Sequence, residues 1–94
     1  MSVVIVGGNE CMERQYKDLC AMYDCKAKVY TKKLKSIGAP DLLVLFTGTM
    51  SHKMLRSVLE ETRGQNLRIA RCHQSSMAAL RGILDAHAGG DVNV

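Results

Sequence analysis

Two uninterrupted apolar runs constrain the fold of this 94-residue chain more than any other feature. Residues 3–6 (VVIV) and 42–46 (LLVLF) contain no polar side chain, and the first run is β-branched throughout. A strand with one face in water alternates apolar and polar residues, whereas a strand buried on both faces in a parallel sheet is apolar along its whole length. The two runs therefore predict central strands of a parallel sheet with helices on both faces.

Shorter strands and amphipathic stretches complete an alternating pattern. Residues 27–30 and 67–71 are predicted strands, and three stretches between or after the strands carry apolar residues at helical spacing. Residues suited to cap these helices are Asn9, Ser51, Ser75 or Ser76 at the starts and Gly64 at the C′ position of the second. Alternating strands and helices predict an α/β fold: a small four-stranded parallel sheet, Rossmann- or flavodoxin-like, in the order 2-1-3-4.

The length of the chain fits one domain, which we expect over residues 1–87, followed by a flexible tail at 88–94. The apolar runs are far shorter than the roughly 20 residues that a membrane span needs. The opening residues MSVVIVGG lack the basic region of a signal peptide. We expect a cytoplasmic protein without a membrane anchor, whose four cysteines are reduced thiols.

Basic residues are concentrated in one segment. Within residues 26–35 there are five lysines and no acid, and the net charge of the chain is +4. Such a segment either forms a solvated loop face or attracts an anion, an acidic partner or RNA. RNA is the weaker expectation, because the chain has only four aromatic residues on which bases could stack.

The link between the second and third strands is short for the path that it must cover. The ten residues 31–40 have to return along the sheet and pass over the first strand, which they can do only when nearly extended. A strained link favours exchange of elements between chains. We therefore expect a homodimer, with domain swapping as one way to form it.

Polar residues concentrate in the three turns that follow the first, third and fourth strands. In open parallel sheets, ligands bind beyond the carboxyl ends of the strands, where the strand order reverses. Two sets of candidate ligands arise there. The first is an anion-binding set of glycine backbone, arginine and serine, namely Gly7, Gly8, Arg71, Ser75 and Ser76.

The second set suits haem or a transition metal. It comprises His52 next to Ser51 at a helix start, and the neighbouring Cys72 and His73, with His52 and Cys72 as the metal ligands. Neighbours in a strand point to opposite faces, so Cys72 and His73 reach one ion only where the strand has ended.

A Cys–His nucleophilic enzyme is a weaker interpretation of the same residues. No carboxylate lies in the second or third turn to orient the histidine, and Glu10 in the first turn is the nearest candidate. The sequence favours a non-catalytic module.

The segments VVIVGG (residues 3–8), Ser51-His52 and RCHQSS (residues 71–76) together resemble the bacterial family known as domain of unknown function 2325. The resemblance extends from Val3 to about Leu84 and implies a Rossmann-like fold, without an established activity. Some members have a cysteine three residues before the histidine, where this chain has Thr49. Haem binding is associated with such domains, and the resemblance implies His52 as its first candidate ligand.

Three functional hypotheses follow. The leading one is a small ligand-binding or sensor module that binds haem or a transition metal near His52 and the Cys72-His73 turn. The second is an anion or nucleotide-phosphate binder that uses Arg71, Ser75 and Ser76. The third is a dimeric interaction domain whose basic face binds a protein or RNA.

Overall fold

A computed structural model describes residues 1–31 and 37–89 of the chain, without the side chains of residues 88 and 89. Its centre is a four-stranded sheet in which every neighbouring pair is parallel, in the order β2-β1-β3-β4. The strands are β1 (Ser2–Gly7), β2 (Lys26–Tyr30), β3 (Leu42–Phe46) and β4 (Arg68–Cys72). The predicted fold class and strand order are confirmed.

Three helices cover the sheet: α1 (Glu13–Met22), α2 (His52–Glu61) and α3 (Met77–Leu84). Short 3-10 turns, Glu10–Met12 and Thr47–Thr49, precede α1 and α2, and a π-helical turn, Asp85–Gly89, follows α3. No helix within the described residues combines the length and the apolar character needed to cross a membrane.

The two faces of the sheet carry separate cores, because successive strand residues point in opposite directions. On one face, α1 and α3 pack over the strands through residues such as Tyr16 and Leu80. On the other face, α2 packs over the strands through Val58, together with buried Ile37 of the segment before β3. Among the described residues the first core has twelve buried members and the second has six, so the α2 face is the less completely covered one.

Side-chain caps begin the helices where the sequence predicts them. The Asn9 side-chain Oδ1 accepts a hydrogen bond from the Cys11 N–H at the start of the 3-10 turn before α1, and the Ser51 hydroxyl accepts one from the Met54 N–H at the start of α2. Of the two serines that the sequence left open for α3, Ser76 is the cap. These bonds satisfy amides that have no partner within the helix.

Several boundaries differ from the prediction by one residue, among them both ends of the fourth strand and the end of α2. The fourth strand begins at Arg68 and ends at Cys72, and α2 ends at its C-cap Thr62, so Gly64 lies one position beyond C′. The Thr62 hydroxyl donates to the Val58 carbonyl at 2.9 Å, and this bond satisfies the end of the helix before the glycine is reached. Gly64 then adopts a positive φ of 83°.

Several predictions fall partly outside the described residues. Lysines 32, 33 and 35 of the basic segment lie there, as do residues 32–36 of the 31–40 link and residues 90–94 of the predicted tail. Lys26 and Lys28 are exposed on β2. All four strands of the sheet belong to one chain. Domain swapping through the 31–40 link stays a prediction.

Candidate functional site

The turns that follow β1, β3 and β4 lie together at the carboxyl edge of the sheet. The Gly8 N–H donates to the Thr49 hydroxyl at 2.6 Å, which joins the first turn to the second. The Gly48 N–H donates to the His73 carbonyl at 3.2 Å, which joins the second turn to the third. The parallel sheet therefore brings together the three polar segments that the sequence singles out.

Tyr16 of α1 closes the remaining gap between the first and third turns. Its hydroxyl donates to the Ser75 carbonyl at 2.5 Å and accepts from the Asn9 N–H at 3.2 Å. Its ring packs on Phe46 with the ring centroids 5.5 Å apart. A fully buried tyrosine thus fills the space beneath the turns and uses its hydroxyl to satisfy two backbone groups.

The predicted anion-binding set is engaged in holding this edge together. Gly7 is buried, and a side chain at Gly8 would lie 2.9 Å from the Tyr16 ring, so neither glycine opens a cradle. The Gly8 N–H is bonded to Thr49, and the Ser76 hydroxyl accepts from the Ala79 N–H. Of the donors that would bind a phosphate, the Gly8 N–H already has a partner within the chain, whereas the Ser76 hydroxyl only accepts in its bond.

Ser75 and Arg71 complete that set. The carbonyl of Ser75 accepts from Tyr16, whereas Arg71 is exposed and has no ion-pair partner among the described residues. Arg71 pairs in register with Leu45, a member of the α2-side core, so the arginine points to the α2 face of the sheet. Its guanidinium is exposed and can bind an external group.

The metal candidates occupy different parts of the molecule. Cys72 pairs in register with Phe46 and packs against the core formed with α1 and α3, on the face opposite Arg71 and α2. His73 follows, exposed, with its ring and carbonyl against Gly48. His52 is exposed in the first turn of α2. Within the described part of the chain, no group of three or more His, Cys, Asp or Glu side chains is arranged to hold a metal ion.

A groove of about 490 Å³ runs along α2, with His52 at one end. Its volume is within the range of small-molecule sites. The half-buried side chains of Leu55 and Leu59 supply its apolar surface. Three exposed charged residues of the same helix complete the described lining: Arg56, Glu60 and Arg63. This groove combines an accessible imidazole, apolar surface and positive charge.

The apolar pattern of α2 indicates the groove, although helical spacing alone does not show which of its residues stay exposed. Residues 54, 55, 58, 59 and 62 form a wide apolar stripe, which predicts that all five point inward. In the structure Val58 and Thr62 are buried, whereas Met54, Leu55 and Leu59 pack against the same core but are only partly buried. A stripe wider than one helix can bury against a sheet leaves apolar surface available for a ligand or a partner.

The buried cysteines are poor candidates for nucleophiles. Desolvation by burial raises the pKa of the Cys20 thiol to about 11, with a smaller contribution from neighbouring Cys25. Burial also raises the pKa of Cys25, whose thiol donates to the Tyr23 carbonyl at 3.3 Å. A thiol with a raised pKa holds little of the reactive thiolate at neutral pH. Cys11 is exposed and Cys72 is half-buried.

A second cavity, of about 740 Å³, lies at the opposite edge of the sheet, near the amino ends of the strands. It is lined by the third histidine, His87, together with Asp41 and Arg68. The Asp41 carboxylate already accepts a hydrogen bond from the Ser2 N–H at 2.7 Å. This cavity is separate from the three turns and from the α2 groove.

Comparison with known proteins gives one relationship. A family model described as "Uncharacterized protein conserved in bacteria (DUF2325)" matches residues 2–87, which is nearly the whole chain. No curated protein and no solved structure matches the chain.

Proposed function

Because the chain belongs to this bacterial family of uncharacterised proteins and presents an exposed histidine at the end of an apolar groove, we propose that it is a non-catalytic haem-binding module of the bacterial cytoplasm. His52 is the proposed axial ligand. The observation that carries the proposal is the α2 groove, which His52 lines together with Leu55, Leu59 and two arginines.

The residues of the groove fit the chemistry of haem. A porphyrin needs apolar contacts on its faces, and Leu55 and Leu59 provide them on consecutive turns of α2. Its propionates need cations, and the guanidinium groups of Arg56 and Arg63 can bind a carboxylate through two hydrogen bonds. Neither arginine has an ion-pair partner among the described residues. Haem would supply an iron centre that takes a further ligand or changes oxidation state, as a sensor requires.

Neither Cys72 nor His73 is a haem ligand in this proposal. Cys72 packs into the core on the other face of the sheet, so it does not share a surface with His52. His73 lies beside Gly48, where its carbonyl already joins two turns. Among the described side chains, His52 would hold the haem iron.

Titration with hemin tests the proposal, with the three histidines as matched variants. The wild-type chain should develop a Soret band that saturates at one haem per chain, and His52→Ala should lose the band or shift it. His87→Ala, which removes an imidazole from the other end of the sheet, should titrate like the wild type. An unchanged spectrum on adding hemin to the wild type, or equal binding by His52→Ala, would refute the proposal.

His73→Ala separates this arrangement from the alternative centred on the Cys72-His73 turn. We expect its Soret band to match that of the wild type. A band that disappears in His73→Ala and persists in His52→Ala would place the iron at the third turn instead.

The anion-binding alternative has less support. Its strongest member is Arg71, while the amide of Gly8 and the hydroxyl of Ser76 are bonded within the chain. A thermal-shift series with inorganic phosphate and nucleotides tests anion binding directly, since a ligand that binds only the folded state raises the melting temperature. Stabilisation that disappears in Arg71→Ala would favour an anion site over haem.

A further inference from the structure

The α2 flank, which we define as His52, Leu55, Arg56, Leu59, Glu60 and Arg63, is also a surface that no element among residues 1–31 and 37–89 covers. The other flank of α2 is occupied, since the Glu61 carboxylate accepts from the Ile37 N–H at 3.3 Å. Beside the uncovered flank lies the edge strand β4, on which Ile69 is 40% exposed. Ile69 pairs in register with Leu43 of the α2-side core, so it points to the same face of the sheet as α2.

The charges on this flank are self-complementary. Arg56 and Glu60 lie one turn apart, and neither has an ion-pair partner among the described residues. The order Arg before Glu is the less favourable one for a pair within a helix. Two α2 helices that pack antiparallel about a twofold axis place Arg56 of each copy beside Glu60 of the other, with Leu55 and Leu59 at the centre. A twofold interface uses the same patch on both subunits, and this patch matches itself.

We propose that a second copy of the chain docks on the α2 flank and that haem and the second copy compete for this surface. The competition rests on the proposed function, whereas the dimer stands on the apolar and charged residues of the flank alone. Competition makes the site a switch: a ligand that binds only the monomer shifts the monomer–dimer equilibrium, and dimer formation weakens haem binding by the same factor.

Measuring the mass of the haem-free chain at tens of micromolar, by light scattering after size exclusion or by sedimentation equilibrium, tests the dimer. The expected mass is twice the 10.3 kDa of one chain. Arg56→Glu sets like charges against each other across the axis and should weaken the dimer by about tenfold or more. The double variant Arg56→Glu/Glu60→Arg restores opposite charges and should restore the dimer.

Arg14→Glu is the matched control, because Arg14 is an exposed arginine on α1, over the other face of the sheet. It carries the same change of charge and should leave the mass unchanged. Circular dichroism shows whether each variant is folded. A monomeric wild type, or a dimer that responds equally to the α1 and α2 substitutions, would overturn the assignment.

Adding hemin to the wild-type dimer tests the competition. We expect the Soret band to appear together with a fall in mass to that of one chain, and the apparent hemin affinity to decrease as the protein concentration rises. A haem-loaded protein that stays dimeric would overturn the competition and leave the proposed function intact. Absence of a Soret band would instead refute the proposed function and the competition, and the charge-reversal series would still decide the dimer.

Discussion

Gly48 is a residue at which the second and third turns pack backbone against backbone. A Cβ atom added there would lie 2.3 Å from the His73 carbonyl oxygen, a backbone atom that cannot move without displacing the third turn. The sequence marks Gly48 only as part of a turn. Its contact with His73 joins residues 25 positions apart along the chain, and no local pattern encodes such a pair.

We predict that Gly48→Ala destabilises the protein by about 1–3 kcal/mol, the usual cost of overpacking. Gly82 in α3 is the control, because a Cβ there meets no atom within 4 Å among the described residues. Gly82→Ala should raise the stability by about 0.5–1 kcal/mol, since alanine favours a helix interior. Urea unfolding measures both, and equal effects would contradict the close contact at Gly48.

The buried thiols predict how stability depends on alkaline pH. Because the pKa of Cys20 is raised to about 11 in the folded state, the folded chain holds a proton that the unfolded chain releases near pH 9. The stability contributed by this thiol is therefore complete below pH 9 and is lost as the pH rises towards 11. Cys25 and Tyr23, whose pKa values are also raised, act in the same direction.

Urea unfolding from pH 8 to 11 under reducing conditions measures this loss. The expected slope for one proton is about 1.4 kcal/mol per pH unit. In Cys20→Ala the free energy of unfolding should decrease less steeply with rising pH than in the wild type, whatever the effect of the substitution on stability at pH 8. The same slope in the wild type and the variant would show that Cys20 is not buried as the structure has it.

At the scale of single elements, the two serines before α3 have different roles. The Ser76 hydroxyl accepts from the Ala79 N–H at 3.1 Å, whereas Ser75 contributes its backbone carbonyl to the bond with Tyr16. We predict that Ser76→Ala costs about 1 kcal/mol, as the loss of an N-cap usually does. Ser75→Ala keeps its carbonyl and should be close to neutral, as thermal or urea unfolding can show. A larger loss of stability in Ser75→Ala than in Ser76→Ala would contradict the assignment of Ser76 as the N-cap of α3.

The elements were largely predictable from the sequence, and their exposed flanks were not. The apolar run LLVLF became β3 with the predicted bounds, and Ser51 caps α2 as expected. Spacing predicted that Leu55 and Leu59 point inward, and both pack against the α2-side core, but each is only partly buried. Spacing places a residue on a helix face, but how much of that face the sheet covers depends on where the helix lies across the strands.

For the whole molecule, the order β2-β1-β3-β4 followed from chain connectivity and the preference for right-handed crossovers. The order brought the three polar turns to one edge, as predicted. The strand order does not predict that polar groups of the turns form hydrogen bonds with one another, as the Gly8 N–H does with the Thr49 hydroxyl. The candidate site consequently moves from the turns to the α2 groove, and of the predicted ligands His52 alone lines it.

A ligand that binds only the folded chain should stabilise the whole molecule. At a free hemin concentration about 100 times its Kd, the stabilisation expected is about 2.7 kcal/mol. We predict a corresponding rise in melting temperature for the wild type and for His87→Ala, and none for His52→Ala. A rise of the same size in all three proteins would indicate non-specific association of hemin.

The most direct test of the central claim is the absorption spectrum and iron content of the chain as purified from haem-replete cells, for the wild type and for His52→Ala. The account predicts that the wild type carries haem, with a Soret band and iron in matching amounts, and that His52→Ala is depleted of both. A wild-type protein without haem, or a His52→Ala variant with the same spectrum and iron content, would contradict it.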